Sequence, residues 1–278
     1  MAKIITVCNQ KGGVGKTTTV INLGYYLAQK KQKVLLIDCD PQANATSGLG
    51  VDKSKLQKDI YSLLIQGCLP QELVHEIFLP ELHLIPATIN LTGAEIELIG
   101  LLNREYKLKN MLKTIEDSYD FIIIDSPPSL GLLTLNALTA ARSVLIPIQC
   151  EYYALEGLSQ LLNTINLVRE NLNPDLEIEG VLLTMADYRT NLSSEVVKEV
   201  RKFYKEKVFK TIIPRNIRLS ESPGFGKPIY MYDKESIGAK RYLALANEVL
   251  GEPVSEDEHY MSKSQGGPEC QERFLEEG

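Results

Sequence analysis

The chain has 278 residues, 44% hydrophobic and 24% charged, with 30 Lys and Arg against 36 Asp and Glu for a formal charge of −6. This is the composition of a soluble globular protein with a sizeable core. No apolar run is long enough to span a bilayer, and the apolar start Ile4 to Cys8 is cut short by Asn9, Gln10 and Lys11, which excludes a spanning helix and a secretory signal.

Taken in chain order, short β-branched apolar runs predict strands over 3–8, 33–38, 82–86, 120–125, 143–148, 178–184 and 208–213. Longer stretches of helical period predict helices over 16–31, roughly 92–116, 132–141, 155–171, 192–206 and 236–250. Runs such as Phe121-Ile122-Ile123-Ile124 and Val34-Leu35-Leu36-Ile37 are apolar almost without alternation, as strands covered on both faces are. The expected fold is therefore α/β: a doubly wound, mostly parallel sheet with helices on each side. With no internal repeat and no linker before residue 251, residues 1–251 are expected to form a single domain.

Charge is distributed unevenly. Residues 252–278 carry eight acids and two bases, so residues 1–251 hold 28 of each sign. Within that neutral body, residues 189–241 contain thirteen Lys or Arg and six Asp or Glu, a +7 segment hidden by an overall pI near 5.3. The acidic stretch has only Phe274-Leu275 as a late apolar pair and is expected to be a disordered tail. Five scattered cysteines with no C-x-x-C pair fit a reduced, cytoplasmic setting.

The first chemistry-bearing motif lies between the first strand and first helix: Lys11-Gly12-Gly13-Val14-Gly15-Lys16-Thr17-Thr18. Glycines there let backbone N–H groups close around phosphate oxygens, while the helix start adds positive dipole. Lys16 supplies a point charge, and the Thr17 hydroxyl can reach Mg²⁺. The usual G-x-x-x-x-G-K-[ST] pattern fails at its first glycine, where Gln10 stands, and an additional lysine, Lys11, precedes the glycines. Asp38, Asp40 and Asp125 fall at or just past the ends of two further strands, the edge at which ligands of such sheets sit. Asp125 is the expected Mg²⁺ partner through a water, Asp40 the group that orients an attacking water, and Asp38 either a supporting metal group or a turn former.

Together these residues resemble the ParA/Soj family of chromosome- and plasmid-partitioning ATPases, whose deviant Walker A loop reads K-G-G-x-G-K-T-T, within the MinD/ParA superfamily of P-loop NTPases. The resemblance runs over about residues 2–250, through Asp38-Cys39-Asp40-Pro41-Gln42, Asp125-Ser126-Pro127-Pro128, Cys150-Glu151-Tyr152-Tyr153-Ala154-Leu155-Glu156-Gly157 and Ile213-Pro214-Arg215-Asn216. It implies ATP and Mg²⁺ as cofactors and a homodimer formed on ATP. In that dimer Lys11 crosses to the partner's nucleotide, and Gly12 lies at the close interface. A cation supplied in trans acts like an arginine finger, worth about 10³ to 10⁵ in rate. The adenine pocket falls on Pro214 and Asn216.

The resemblance further implies non-specific DNA binding through the basic third, a nucleoid-associated location, and hydrolysis stimulated by a ParB-type centromere-binding protein. Arg189 and Arg218 are the leading DNA candidates, with Lys198, Arg201 and Lys202 beside them. Backbone phosphates attract any such cation regardless of base. The competing reading of this segment is a solvated helix face, with Glu195, Glu199 and Glu206 pairing to nearby lysines. A MinD-like membrane-positioning ATPase is the alternative function. It needs a basic amphipathic C-terminus, whereas this chain ends Glu272-Arg273-Phe274-Leu275-Glu276-Glu277, so no membrane partner is expected. Iron-protein electron donors need paired cysteines that are missing here.

Overall fold

The structure, a computed structural model, describes residues 1–151, 154–187 and 189–254, without the side chains of 154–158. Almost all of the acidic tail thus lies outside the described residues. Strands β1 (Lys3–Val7), β2 (Val34–Asp38), β3 (His75–Ile77), β4 (Leu79–Ile85), β5 (Phe121–Asp125), β6 (Ser143–Gln149), β7 (Glu177–Ala186) and β8 (Val208–Pro214) form one sheet. Their order is β3-β4-β2-β5-β1-β6-β7-β8, parallel throughout except for β3 against β4. The helices are α1 (Lys16–Gln29), α2 (Asn44–Gly48), α3 (Ile60–Leu64), α4 (Leu91–Glu97), α5 (Lys107–Leu112), α6 (Leu132–Ala140), α7 (Ala154–Asn171), α8 (Asn191–Tyr204), α9 (Ile217–Glu221), α10 (Ile229–Asp233) and α11 (Ile237–Val249).

The unalternating apolar strands are covered on both faces, as expected. Along β5, Phe121 and Ile123 belong to one buried cluster with Leu23 and Leu27 of α1, while Ile122 and Ile124 belong to the other with Leu112 of α5 and Leu138 of α6. The first strand, β1, lies between β5 and β6, where the winding direction reverses. A ligand crevice opens at the carboxyl ends of the strands at such a point.

One expectation is corrected, and one strand had no expectation. The helix expected over 92–116 is two helices, α4 and α5, separated by turns and by Asn103 at φ 52. A side chain distant in sequence makes the second start possible. Buried Asn136 of α6 accepts the Leu108 N–H (3.1 Å) and donates to the Arg104 carbonyl (2.8 Å), satisfying groups a continuous helix would have paired internally. The antiparallel edge strand β3 spans three residues, too short for alternation to reveal it.

One backbone contact fixes the walls of the crevice. The loop after α2 meets the turn Ser222–Phe225 through Gly50 and Gly226, both in the left-handed region (φ 77 and 62). A Cβ on Gly226 would stand 2.6 Å from the Gly50 Cα, so neither position has room for a side chain. Gly226→Ala combines left-handed strain with a backbone clash and is expected to cost about 3 kcal/mol. By thermal unfolding, the midpoint should fall by roughly 6–12 °C; an unchanged midpoint would show that the two segments separate freely.

Candidate functional site

The loop between β1 and α1 is tied down before it meets any ligand. Asn9 accepts the Lys11 N–H (3.0 Å) and donates to the Pro147 carbonyl on β6 (2.7 Å). The Thr184 hydroxyl donates to the Val14 carbonyl (2.9 Å). Gly13 and Gly15 turn the chain at φ 75 and 93, and nothing stands within 4 Å of where a Cβ on Gly12 or Gly13 would be. The result is a bare backbone concavity at the start of a 14-residue helix, suited to phosphate oxygens.

The two lysines of the loop are placed differently. Lys16 is buried, and its Nζ donates to the Lys11 carbonyl (3.1 Å), folding back over the concavity. The Lys11 side chain is 43% exposed at the rim, its Nζ 3.3 Å from Glu151. Glu151 is shared: Arg215 Nη2 lies 3.5 Å from its other oxygen.

Three carboxylates gather at the ends of β2 and β5, where Asp38 and Asp125 stand abreast in register. Asp125 accepts the Thr17 hydroxyl on Oδ2 (2.7 Å), while its Oδ1 is buried without a hydrogen-bond partner. Burial, and then the charge of Asp38, push its carboxyl well above the ordinary range. Asp38 accepts the Thr46 N–H (2.8 Å), the Thr46 hydroxyl (2.7 Å) and the Asp40 N–H (3.2 Å). Its bonds therefore anchor the start of α2, and burial raises its pKa to about 6. Asp40 is 6% exposed, accepts the Gln42 N–H (2.9 Å), and faces the cleft beside Gln42, Asn44 and Ser47. Burial lowers the Lys16 pKa, partly offset by the charges of Asp125 and Asp40.

The cleft has two connected chambers. One, of about 550 Å³, holds Gly12, Gly13, Lys16, Thr17 and Asp40; the other, of about 270 Å³, is lined by Ile213, Pro214, Arg215, Asn216 and Tyr242. Gly15, Thr18, Met185 and Pro223 line both. Asn216 also caps α9, accepting the Leu219 N–H (3.3 Å). Val14 is buried in the loop floor. Met185 and Pro223 belong to no motif legible in the sequence; their only signal is a place near a strand end or inside a turn.

The basic candidates divide into two groups. Arg189 and Arg218 follow β7 and β8 at the same sheet edge as the phosphate loop. Arg189 is held by Asp187 (2.7 Å), and Arg218 by Glu221 (3.0 Å) and Asp233 (3.5 Å). Lys198, Arg201 and Lys202 lie about two to three turns further down α8. That helix buries Val196, Val197 and Val200 on its other side. Among the described residues, no ion pair joins Glu195, Glu199 or Glu206 to these lysines; the pairs of this third include those just named, Arg215–Glu151 and Lys240–Glu235.

A glycine-turned loop opening a helix at the switch point, with a buried lysine and a strand-end aspartate on the first-turn threonine, defines a P-loop nucleotide-binding protein. The family model described as AAA domain matches residues 2–178. The sporulation initiation inhibitor protein Soj of Bacillus subtilis is 58% identical over 249 residues, covering 90% of this chain and 98% of that one. The chromosome partitioning protein ParA of Myxococcus xanthus is 56% identical over 250 residues, covering 90% of this chain and 88% of that one. Among solved structures, cobyrinic acid a,c-diamide synthase from Mycobacterium smegmatis with bound ATP analogue and magnesium superposes with a TM-score of 0.79 at 39% identity, covering 90% of this chain and 95% of that one. The chain belongs to the ParA/Soj family of partitioning ATPases.

Thr17 and Asp125 fit a magnesium site. The orphaned Asp125 oxygen lacks only a cation or its water, and Mg²⁺ takes few protein ligands because it keeps waters and phosphate oxygens. Thr17→Ala would leave both Asp125 oxygens unpaired in a dry site, at a cost of about 1–3 kcal/mol. Thermal unfolding should show a lower midpoint and the loss of the extra stabilisation that Mg²⁺ adds to ATP, with Thr17→Ser restoring both. A parental Mg²⁺ effect in the alanine variant would remove Thr17 from the metal site.

Proposed function

We propose that this partitioning ATPase binds ATP and Mg²⁺ in the cleft, dimerises face to face on the nucleotide, and in that state binds DNA without sequence preference. The reading extends to residues 1–251 as one ATPase domain and 252–278 as an acidic tail. It includes a cytoplasmic, nucleoid-associated location and a ParB-type partner that stimulates hydrolysis. The observation that carries it is the unequal pair of lysines. Lys16 already covers the phosphate loop from within, leaving Lys11 at the rim with nothing to do in its own cleft beyond a solvent-exposed ion pair.

In this reading Lys16 and the loop N–H groups of residues 12–18 hold the phosphates, Pro214 and Asn216 receive the base, and Thr17 and Asp125 hold the metal. Bound Mg²⁺ supplies neutralisation of the charge developing on the β- and γ-phosphates. Asp40, anchored beside the concavity by its own turn, orients the attacking water. Asp38 supports Asp40 from behind through the Asp40 N–H. Gly12 has open space around it within one chain, so a side chain there is tolerated by the monomer and meets an obstacle only in a partner.

Two outcomes test this. Lys11→Ala should bind ATP with parental affinity yet remain monomeric with a non-hydrolysable analogue, by size exclusion with light scattering. A dimeric variant would take the trans role from Lys11, and a parent monomeric under saturating analogue would end the dimer reading. Arg218→Ala should weaken ATP-dependent DNA binding and lower the salt slope by about one for each DNA phosphate that is no longer neutralised, with ATP affinity unchanged. An unchanged slope would exclude Arg218 from the DNA face.

A further inference from the structure

Met185 occupies a conformation that methionine rarely adopts. Its φ is +51°, in the left-handed region, whereas such a position in a strand takes glycine with no steric penalty. The cause is a bulge near the end of β7. Leu183 pairs with Ile212 and Ala186 with Pro214, so β7 carries one more residue than β8 over this span. The bulge is held from three sides. The Thr184 hydroxyl donates to the Val14 carbonyl of the phosphate loop (2.9 Å), the Cys150 N–H donates to the Thr184 carbonyl (3.0 Å), and the Arg215 N–H donates to the Ala186 carbonyl (3.0 Å).

Strain that the surroundings hold in place clusters at functional sites, and here it accompanies a particular location. Met185 lines both chambers of the cleft, sharing that position with Gly15, Thr18 and Pro223. Gly15 presents no side chain, and Thr18 belongs to the helix that begins the phosphate site. Met185 and Pro223 are therefore the apolar side chains at the neck between the phosphate chamber and the chamber of Pro214 and Asn216. A ligand with phosphates in one chamber and a base in the other has to pass its sugar through that neck. A thioether chain is flexible and polarisable, and it makes favourable contacts with a flat aromatic ring.

We propose that Met185 is a specificity-determining residue: its strained bulge aims the thioether at the sugar–base junction and favours a purine over a pyrimidine nucleotide. This rests on the reading that the cleft binds ATP. The polar edge of the base is left to Asn216 and the backbone near Pro214. The size of the ring system against Met185 then decides the preference.

The test uses the full chain, with ADP and CDP as probes so that hydrolysis and dimerisation do not intrude. Titration calorimetry gives the affinities, and thermal unfolding without nucleotide gives stability. Met185→Gly removes both the side chain and the strain. ADP affinity should fall about tenfold, as expected when one partly buried apolar side chain no longer covers the base, while CDP affinity changes much less. The nucleotide-free midpoint should stay level or rise, because glycine relaxes the bulge. Met185→Leu, which keeps an apolar chain in the same conformation, should retain the ADP preference.

An unchanged ratio of ADP to CDP affinity in Met185→Gly would overturn the proposal. So would a lowered midpoint with parental affinities, which is the signature of packing alone. A parent that binds neither nucleotide would instead refute the nucleotide reading, and the Met185 assignment would fall with it.

Discussion

The site depends on a carboxylate that the fold buries without fully satisfying. Asp125 ends a completely buried strand, gives one oxygen to Thr17, and leaves the other without a partner beside the equally buried Asp38. Burial pushes both pKa values upward, and a neighbouring carboxylate adds to each, Asp40 for Asp38 and Asp38 for Asp125. Lys16 is pushed the opposite way by the same burial, so the charged form of each group is disfavoured until the other, or a ligand, compensates. Phosphates alone would add negative charge to an acidic cluster, and a cation alone would face a buried lysine. The arrangement is balanced for a ligand that brings both together, as a magnesium nucleotide does.

That electrostatic centre is mechanically joined to the rest of the cleft by a few short contacts. Thr184 ties the end of β7 to the phosphate loop, and Asp38 ties the end of β2 to α2 through Thr46. The Gly50 and Gly226 backbones tie the loop after α2 to the turn that carries Pro223. The chain also seals its exposed edge: Glu248 of α11 accepts the N–H groups of Lys210 and Thr211 on β8 (2.6 and 3.0 Å), blunting an edge strand that would otherwise be free to pair. The walls of the two chambers are thus joined by short hydrogen bonds and by one close backbone contact.

Much of this was legible in the sequence, for identifiable reasons. Strands buried on both faces announce themselves by unbroken apolar runs, and all seven expected strands lie in the sheet. The phosphate loop is legible because its chemistry is local: glycines, a lysine and a threonine within eight residues of one turn. Features made by distant partners were not. The break between α4 and α5 depends on Asn136, which reaches back 28 residues to cap the second helix. The pairing of Glu151 with both Lys11 and Arg215 joins residues from three separated segments. The left-handed Met185 depends on the register of β7 against β8, which no pattern of hydrophobicity encodes. The ion pairs expected along α8 reflect spacing alone, whereas Arg189 and Arg218 take their partners from turns and short helices.

The shared carboxylate of Glu151 bears on how one chain could pass from its present arrangement to one that engages a second copy. An exposed ion pair is worth about 0–1 kcal/mol, so Lys11 can leave Glu151 at little energetic cost when a stronger anion is offered. Arg215, at the base end of the cleft, is already within reach of the same residue. Glu151 therefore need not be stranded when the lysine departs, since a cation from the base chamber can take up its charge. A pair buried from solvent would have held Lys11 too firmly, and a lysine with no partner would have explored many rotamers, adding an ordering penalty to any later contact. The weak, shared pair avoids both extremes and keeps the rim lysine near its point of use.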